Sequence, residues 1–328
     1  VEKRERLEKT IAAEATDRAP IAIWRYFPGD DLRAADLAQS IVDFQRLYDW
    51  DLVVVYPAST YQVLDYGIQE QWHGSLHGRR SILRHKIQRS LDWTELRALD
   101  PGKGSLARQT EALRLIADAL PDIPLVLTIH SALDQALMLS GQEALVRCLR
   151  TQPDRLRTGL NILTENTLRF TDTLKRLPLA GIALVCSSAS FTMLSEEEYR
   201  LFGYQYDRAL LTSLGTRWWL NIVQLDSDMP MFKLMSGLPA QVMQWRDRDT
   251  EPDLAFGKSL ATGAVCCGVS AEKDLYLGTP NTVRDAVRDA QTRANHRRLI
   301  ISTGEPMIIP TPYSHLRAAR LAVEPAGV

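Results

Sequence analysis

The absences in this chain narrow the field before any residue is singled out. No apolar run approaches the ~20 residues needed to cross a bilayer, so no membrane-spanning role is expected. The opening stretch, VEKRERLEKTIAAEA, reads as a charged helix rather than a secretory signal, and a cytoplasmic location is the expectation. An excess of either charge is also missing. Lys plus Arg number 39 against 40 Asp plus Glu, so nothing global draws the chain to nucleic acid or to a membrane surface. Cysteine is scarce: Cys148, Cys186, Cys266 and Cys267 show no C-x-x-C spacing, and buried reduced thiols are expected. Adjacent strand residues face opposite sides, so Cys266 and Cys267 cannot share a metal ion. An early Gly-rich phosphate loop is missing too, which removes the usual reason to expect a doubly wound nucleotide-binding sheet.

What is present is the balance of a globular protein, 45% hydrophobic and 24% charged over 328 residues. Short β-branched runs at 20–24, 52–56, 124–128, 182–186, 218–223, 241–245, 264–269 and 299–301 read as eight strands. Helical patterns lie between nearly every pair, including 32–48, 106–120, 133–149, 155–177, a segment opened by the capping box Ser195-Glu196-Glu197-Glu198, 282–294, and a closing helix at 315–323. Such alternation predicts an α/β fold, a single-domain (β/α)₈ TIM barrel over residues 1–328. Residues 60–100 break the pattern and form an insertion after the second strand. Its segment 72–89 holds the densest basic cluster, Arg79, Arg80, Arg84 and His85, and is expected to be a hairpin lid that attracts an anion.

In a parallel barrel the loops leaving the carboxyl ends of the strands carry the chemistry. That places Thr303, Gly304 and Glu305 at the mouth, with Asp226, Gln224, His130, Ser187, Tyr56 and Arg25 at other strand ends. Residues two apart on a strand share a side, so Gln224 and Asp226 are expected to face the cleft together. Asp226 and Glu305 are the expected catalytic carboxylates, since a shared site raises the proton affinity of one. Asp228 is a weaker companion, and His130 is a third catalytic candidate. Arg25 and Arg80 are expected to hold a substrate carboxylate, with Tyr56, Gln224 and Ser187 as further substrate contacts. Trp24 and Tyr61 are expected to line the cleft wall.

Several segments, in order, resemble the uroporphyrinogen decarboxylase superfamily: KRERLEKTIAAEATDRAPIAIWRYFPGDD, LSEEEYRLFGYQYDRALL, LYLGTPNTVRDAVRDA and above all ISTGEPMIIPTPYSHLRAA. The last is similar to the family's closing S-T-G-C-x-x-P-x-x-T-P or G-H-G-x-x-P-x-T-P loop and helix. The resemblance implies a barrel with a deep cleft, a dimer, and one of two chemistries, decarboxylation of a porphyrinogen or zinc-dependent methyl transfer between a corrinoid and a thiol. Against the decarboxylase pattern M-R-Q-A-G-R-Y-L-P-E, Ile23-Trp24-Arg25-Tyr26-Phe27-Pro28 keeps only the second arginine. The place of the central aspartate falls near Ala58, Ser187 matches a serine after the fourth strand, and Glu305 stands where the closing loop bears a histidine. Against the methyltransferase pattern, Gln224 and Asp226 replace the zinc-binding His-x-Cys, and Glu305 replaces the third, cysteine ligand.

No cofactor is expected, and a divalent cation, if one binds, would sit on Asp226 and Glu305. The expected function is decarboxylation of a tetrapyrrole or another carboxylated small molecule. Methyl transfer with a corrinoid protein as partner is the alternative, and a non-catalytic binding barrel is the third reading. Convergence of Asp226, Glu305 and Arg25 is what separates an enzyme from a binding relic.

Overall fold

The computed structural model describes residues 1–325. Its strands are β1 (Val53–Val55), β2 (Gln69–Gln71), β3 (Ser81–Arg84), β4 (Leu125–His130), β5 (Gly181–Val185), β6 (Ile222–Leu225), β7 (Val242–Trp245), β8 (Ala264–Gly268) and β9 (Leu299–Ser302). Seven of them form one parallel sheet in the order β1-β4-β5-β6-β7-β8-β9. Every residue of those seven is buried, which is why they read as short continuous apolar runs rather than as alternating ones.

The eighth stave is shorter than its sequence suggests. The expected strand 20–24 makes one parallel bridge, Ile21 to Ile301, in which the amide of Ile301 donates to Pro20 O (2.8 Å) and that of Ala22 to Ile301 O (3.0 Å). On its other side the amide of Asp51 donates to Ile21 O at 2.9 Å, just before β1. Pro20 has no N–H to extend the ladder, yet these bonds close the sheet into a ring. The chain is a single-domain TIM barrel.

Alternation along the strands sorts two cores. Val54, Val126, Ala183, Ile222, Val242, Ala264 and Ile300 fill the barrel interior. Val53, Leu127, Leu184, Val223, Val265 and Ile301 pack outward against the helices. Cys266 falls in the first set and Cys267 in the second, as adjacency demands. All four cysteines are free and buried.

Helix boundaries depart from expectation where backbone chemistry intervenes. The stretch 133–149 is two helices, Ala132–Ser140 and Gln142–Thr151, because Gly141 adopts φ +77° between them. Beyond the Ser195 capping box, Glu196–Tyr199 runs through a wider π turn, Arg200–Tyr204, into Gln205–Leu214. The fifth predicted strand, 218–223, begins too early, since the ladder itself is Ile222–Leu225.

The insertion does form a hairpin, with β2 and β3 antiparallel. It lies against the mouth rather than standing clear of it. Gly78 (φ +76°) comes so close to Tyr26 that an added Cβ would meet the Tyr26 Cβ at 2.5 Å, and Leu76 O accepts from the Ile309 amide at 2.8 Å. At the opposite end, buried Asp51 accepts from Arg6 (2.7 Å), from Arg18 (2.7 and 3.0 Å) and from the Ile21 amide (2.9 Å). That cluster ties the opening helix, Lys3–Ile11, to the ring's closing seam. No helix among the described residues is long and apolar enough to cross a membrane.

Candidate active site

The mouth is built from strand ends, and the pleat decides who faces it. On β6, Gln224 points inward and Asp226 follows one step nearer the rim on the same side. On the neighbouring β7, Gln244 is in register with Gln224, and Arg246 stands beside Asp226 in the same way. The closing loop brings Glu305 to this pair. Gly304 (φ +75°) lets it do so, because a Cβ there would lie 2.1 Å from Trp245 O and 2.8 Å from the Arg246 amide nitrogen. The loop is further held by the Met307 amide donating to Trp24 O at 2.8 Å.

Glu305 therefore lies close enough to Asp226 to feel its charge. Glu305 is 8% exposed. Burial, and then the charge of Asp226, push its carboxyl up to about 7, against the opposing pull of Arg246 and Arg79. Asp226 is ion-paired to Arg79, which reaches in from the hairpin. Arg246 donates to Asp228 at 2.7 Å while also facing the charges of Glu305 and Asp226. Three acids and two guanidiniums share one rim, and burial holds one of the acids near neutrality.

Beneath the rim lies a neutral layer. The Tyr56 hydroxyl donates across the barrel to Gln224 Oε1, and burial holds that phenol well above its usual range. Tyr56 stacks on Trp24 (centroids 6.3 Å) and meets Tyr26 edge-on (5.0 Å). His130 is 7% exposed, and burial, with Arg79's charge added, lowers it to about 4, so it is a neutral imidazole at physiological pH. Its Nδ1 has no protein partner, nor do Trp24 Nε1, Gln224 Nε2 or either amide atom of Gln244. Buried polar groups of this kind are satisfied by water or ligand.

Three expected contacts are placed elsewhere. With Trp24 and Tyr26 facing the barrel, Arg25 must face outward. Its guanidinium lies 4.9 Å from the Phe27 ring, with Nε donating to Tyr26 O (3.0 Å) and Nη1 to Ile309 O (3.4 Å), so it does not join the carboxylates. Arg80 is a buried structural cation, paired with Asp31 and lying 3.5 Å from Glu70. Ser187 enters through its backbone, as its amide and that of Ser188 donate to the two oxygens of Asp134 (2.7 and 2.8 Å). In the basic cluster, His85 donates to Met138 O at 2.9 Å and serves as a tie to the neighbouring helix. Tyr61 anchors the wall by donating to Thr128 O at 2.9 Å.

The mouth residues that sequence reading missed are Arg79 as an individual, Arg246, Gln244 and Tyr26. Alternation carried the signal for Tyr26, two residues from Trp24, whereas no residue of the strand 241–245 had been placed inward. The zinc that the methyltransferase resemblance implies finds no suitable ligands here. In place of imidazole and thiolates stand an amide oxygen engaged by Tyr56, a carboxylate paired with Arg79 and a carboxyl that keeps its proton to about 7, all beside two guanidiniums. Among the described residues no three His, Cys, Asp or Glu side chains group as metal ligands.

A family model described as uroporphyrinogen decarboxylase (URO-D) matches residues 2–325. No curated protein matches the chain. Among solved structures, a methyltransferase from Methanosarcina mazei superposes with TM-score 0.86 at 16% identity, covering 98% of each chain. A B12-independent methionine synthase from Shewanella sp. W3-18-1, in complex with selenomethionine, gives 0.61 at 10% identity, over 93% of this chain and 91% of that one. A putative vitamin-B12 independent methionine synthase from Listeria monocytogenes gives 0.54 at 10% identity, over 93% and 94%. At these identities the likeness is one of fold.

Proposed function

The chain belongs to the uroporphyrinogen decarboxylase (URO-D) family, and on that premise we propose that it is an enzyme that removes a carboxyl group from a small polycarboxylated molecule bound at the barrel mouth. The observation that carries this reading is Glu305, a carboxyl raised to about 7 beside Asp226 and bracketed by Arg246 and Arg79. A general acid works best with a pKa near the operating pH. In the step considered, the carbon–carbon bond to the leaving carboxylate breaks and its electron pair remains on carbon. Glu305 delivers a proton to that carbon, and carbon dioxide departs. The electron sink is a cationic group of the substrate, such as a protonated heterocycle, whose charge Asp226 stabilises. Remaining carboxylates of the substrate pair with the guanidiniums, while the neutral layer of Trp24, His130, Gln224 and Gln244 offers hydrogen bonds to its polar core. Incubation with uroporphyrinogen, and then with smaller carboxylated heterocycles, tests the reading. Release of carbon dioxide that is abolished in Glu305→Gln supports it, and no release from any of them refutes it.

Methyl transfer is the second reading, favoured by the near-complete overlap with the Methanosarcina methyltransferase and opposed by the donor set at Gln224, Asp226 and Glu305. It requires a corrinoid partner or a comparable methyl donor. Methyl transfer from methylcobalamin to a thiol would establish it; failure with and without added zinc removes it.

A further inference from the structure

We propose that Arg79 is the substrate-carboxylate anchor of this site and that Asp226 holds it in the ligand-free protein as an internal stand-in for that carboxylate. The inference rests on the reading that the substrate is carboxylated, and goes beyond it by assigning the specificity-determining residue and the contact that substrate must displace.

The hairpin fixes the backbone of Arg79 on both sides. Gly78 is pressed on Tyr26, with 2.5 Å between its would-be Cβ and that residue's Cβ. Leu76 is bonded to Ile309, and Arg80 is buried in its pairs with Asp31 and Glu70. The insertion is thus a fixed roof in which a single side chain is placed to swing.

That side chain is 49% exposed, whereas its partner Asp226 is only 10% exposed. The guanidinium reaches from the solvent side down to an acid inside the mouth. Half-exposed, the guanidinium can turn from one carboxylate to another without losing its own charge pairing, and Asp226 is left facing Arg246. Among the described residues Asp226 is the only ion-pair partner of Arg79, while Arg246 already has the largely exposed Asp228. The planar fork of an arginine suits a carboxylate bidentately. Exchange also has a chemical consequence. Once Arg79 turns to the ligand, the charge of Asp226 is less offset and acts more fully on Glu305, so binding favours the protonated acid.

The test is calorimetric titration with trimesate, an aromatic tricarboxylate, near neutral pH and at low salt, with folding of each variant checked by thermal melting. Arg79→Gln should weaken binding by about tenfold or more. Asp226→Asn, which releases the arginine, should bind about tenfold more tightly than the natural chain. The double variant should show no gain over Arg79→Gln, and Asp172→Asn, at an exposed acid paired only with Lys175, should stay within about twofold of the natural chain. Unchanged or weaker binding in Asp226→Asn overturns the proposal, as does equal tightening in Asp172→Asn, which would be a mere effect of net charge, or a lack of binding to every variant. Because no turnover is required, the proposed reaction and the anchor can fail separately: carbon dioxide release without the Asp226→Asn gain sinks only the anchor.

Discussion

Glu305 shows at the residue scale what burial does to a single carboxyl. Its folded value of about 7 stands above its ordinary 4.5. Below that lower value both folded and unfolded chains hold the proton, and nothing is lost. As pH rises through the interval the unfolded chain ionises first, so the folded state loses relative stability, reaching on the order of 3 kcal/mol above about pH 7. Glu305→Gln, which cannot ionise, should match the natural chain at about pH 4.5 and exceed it in stability at about pH 8. Urea denaturation of both at the two pH values measures this, and a pH-independent difference would refute it. Which residues could do this was partly legible. Asp226 and Glu305 stood at strand ends and were found together. Arg25 also stood at a strand end, but it follows Trp24, and two large aromatic rings filling the barrel at Trp24 and Tyr26 leave the arginine only the outer face.

Among the elements, the hairpin depends on one glycine. At Gly78 an alanine would suffer both the positive φ and the contact with Tyr26, whereas Gly74 (φ +81°) has nothing within 4 Å and meets only the backbone penalty. Gly78→Ala should therefore cost roughly 2–3 kcal/mol and speed amide exchange through β2 and β3, while Gly74→Ala should cost about 1 kcal/mol and leave exchange there nearly unchanged. Hydrogen-exchange mass spectrometry distinguishes them, and equal effects would mean the hairpin is not seated as described. Sequence pattern foretold a basic hairpin near the mouth, because charge density and broken periodicity are local properties. It could not foretell that Arg79 faces the acids while Arg80 is buried on Asp31, since that depends on where a distant loop and Tyr26 come to rest.

For the whole molecule, the ring closes through a short seam, and Asp51 secures it. With the carboxylate removed, Arg6 and Arg18, each 6% exposed at the side chain, would keep buried charge, although Arg6 would retain Asp17 and Arg18 the half-exposed Glu324. Asp51→Asn should thus lose about 3–5 kcal/mol of stability, read from chemical denaturation; a loss below about 1 kcal/mol would show that the seam stands without it. The barrel itself was legible because strand-helix alternation and the buried, β-branched staves are written in the chain. Its closing stave was over-read. A run of apolar residues specifies burial, but Pro20 and the departure toward Tyr26 limit how much of it can pair.

One measurement tests most directly whether Asp226 and Glu305 form one electrostatic site. Carbon-detected NMR titration of side-chain carboxyls, with the Glu305 resonance identified by its loss in Glu305→Gln, gives its pKa in the natural chain and in Asp226→Asn. The expected result is a value of about 7 that falls when the neighbouring charge is removed but stays above 4.5, because burial remains. A Glu305 that titrates at its ordinary value, or one that Asp226→Asn leaves unmoved, would contradict the site as described.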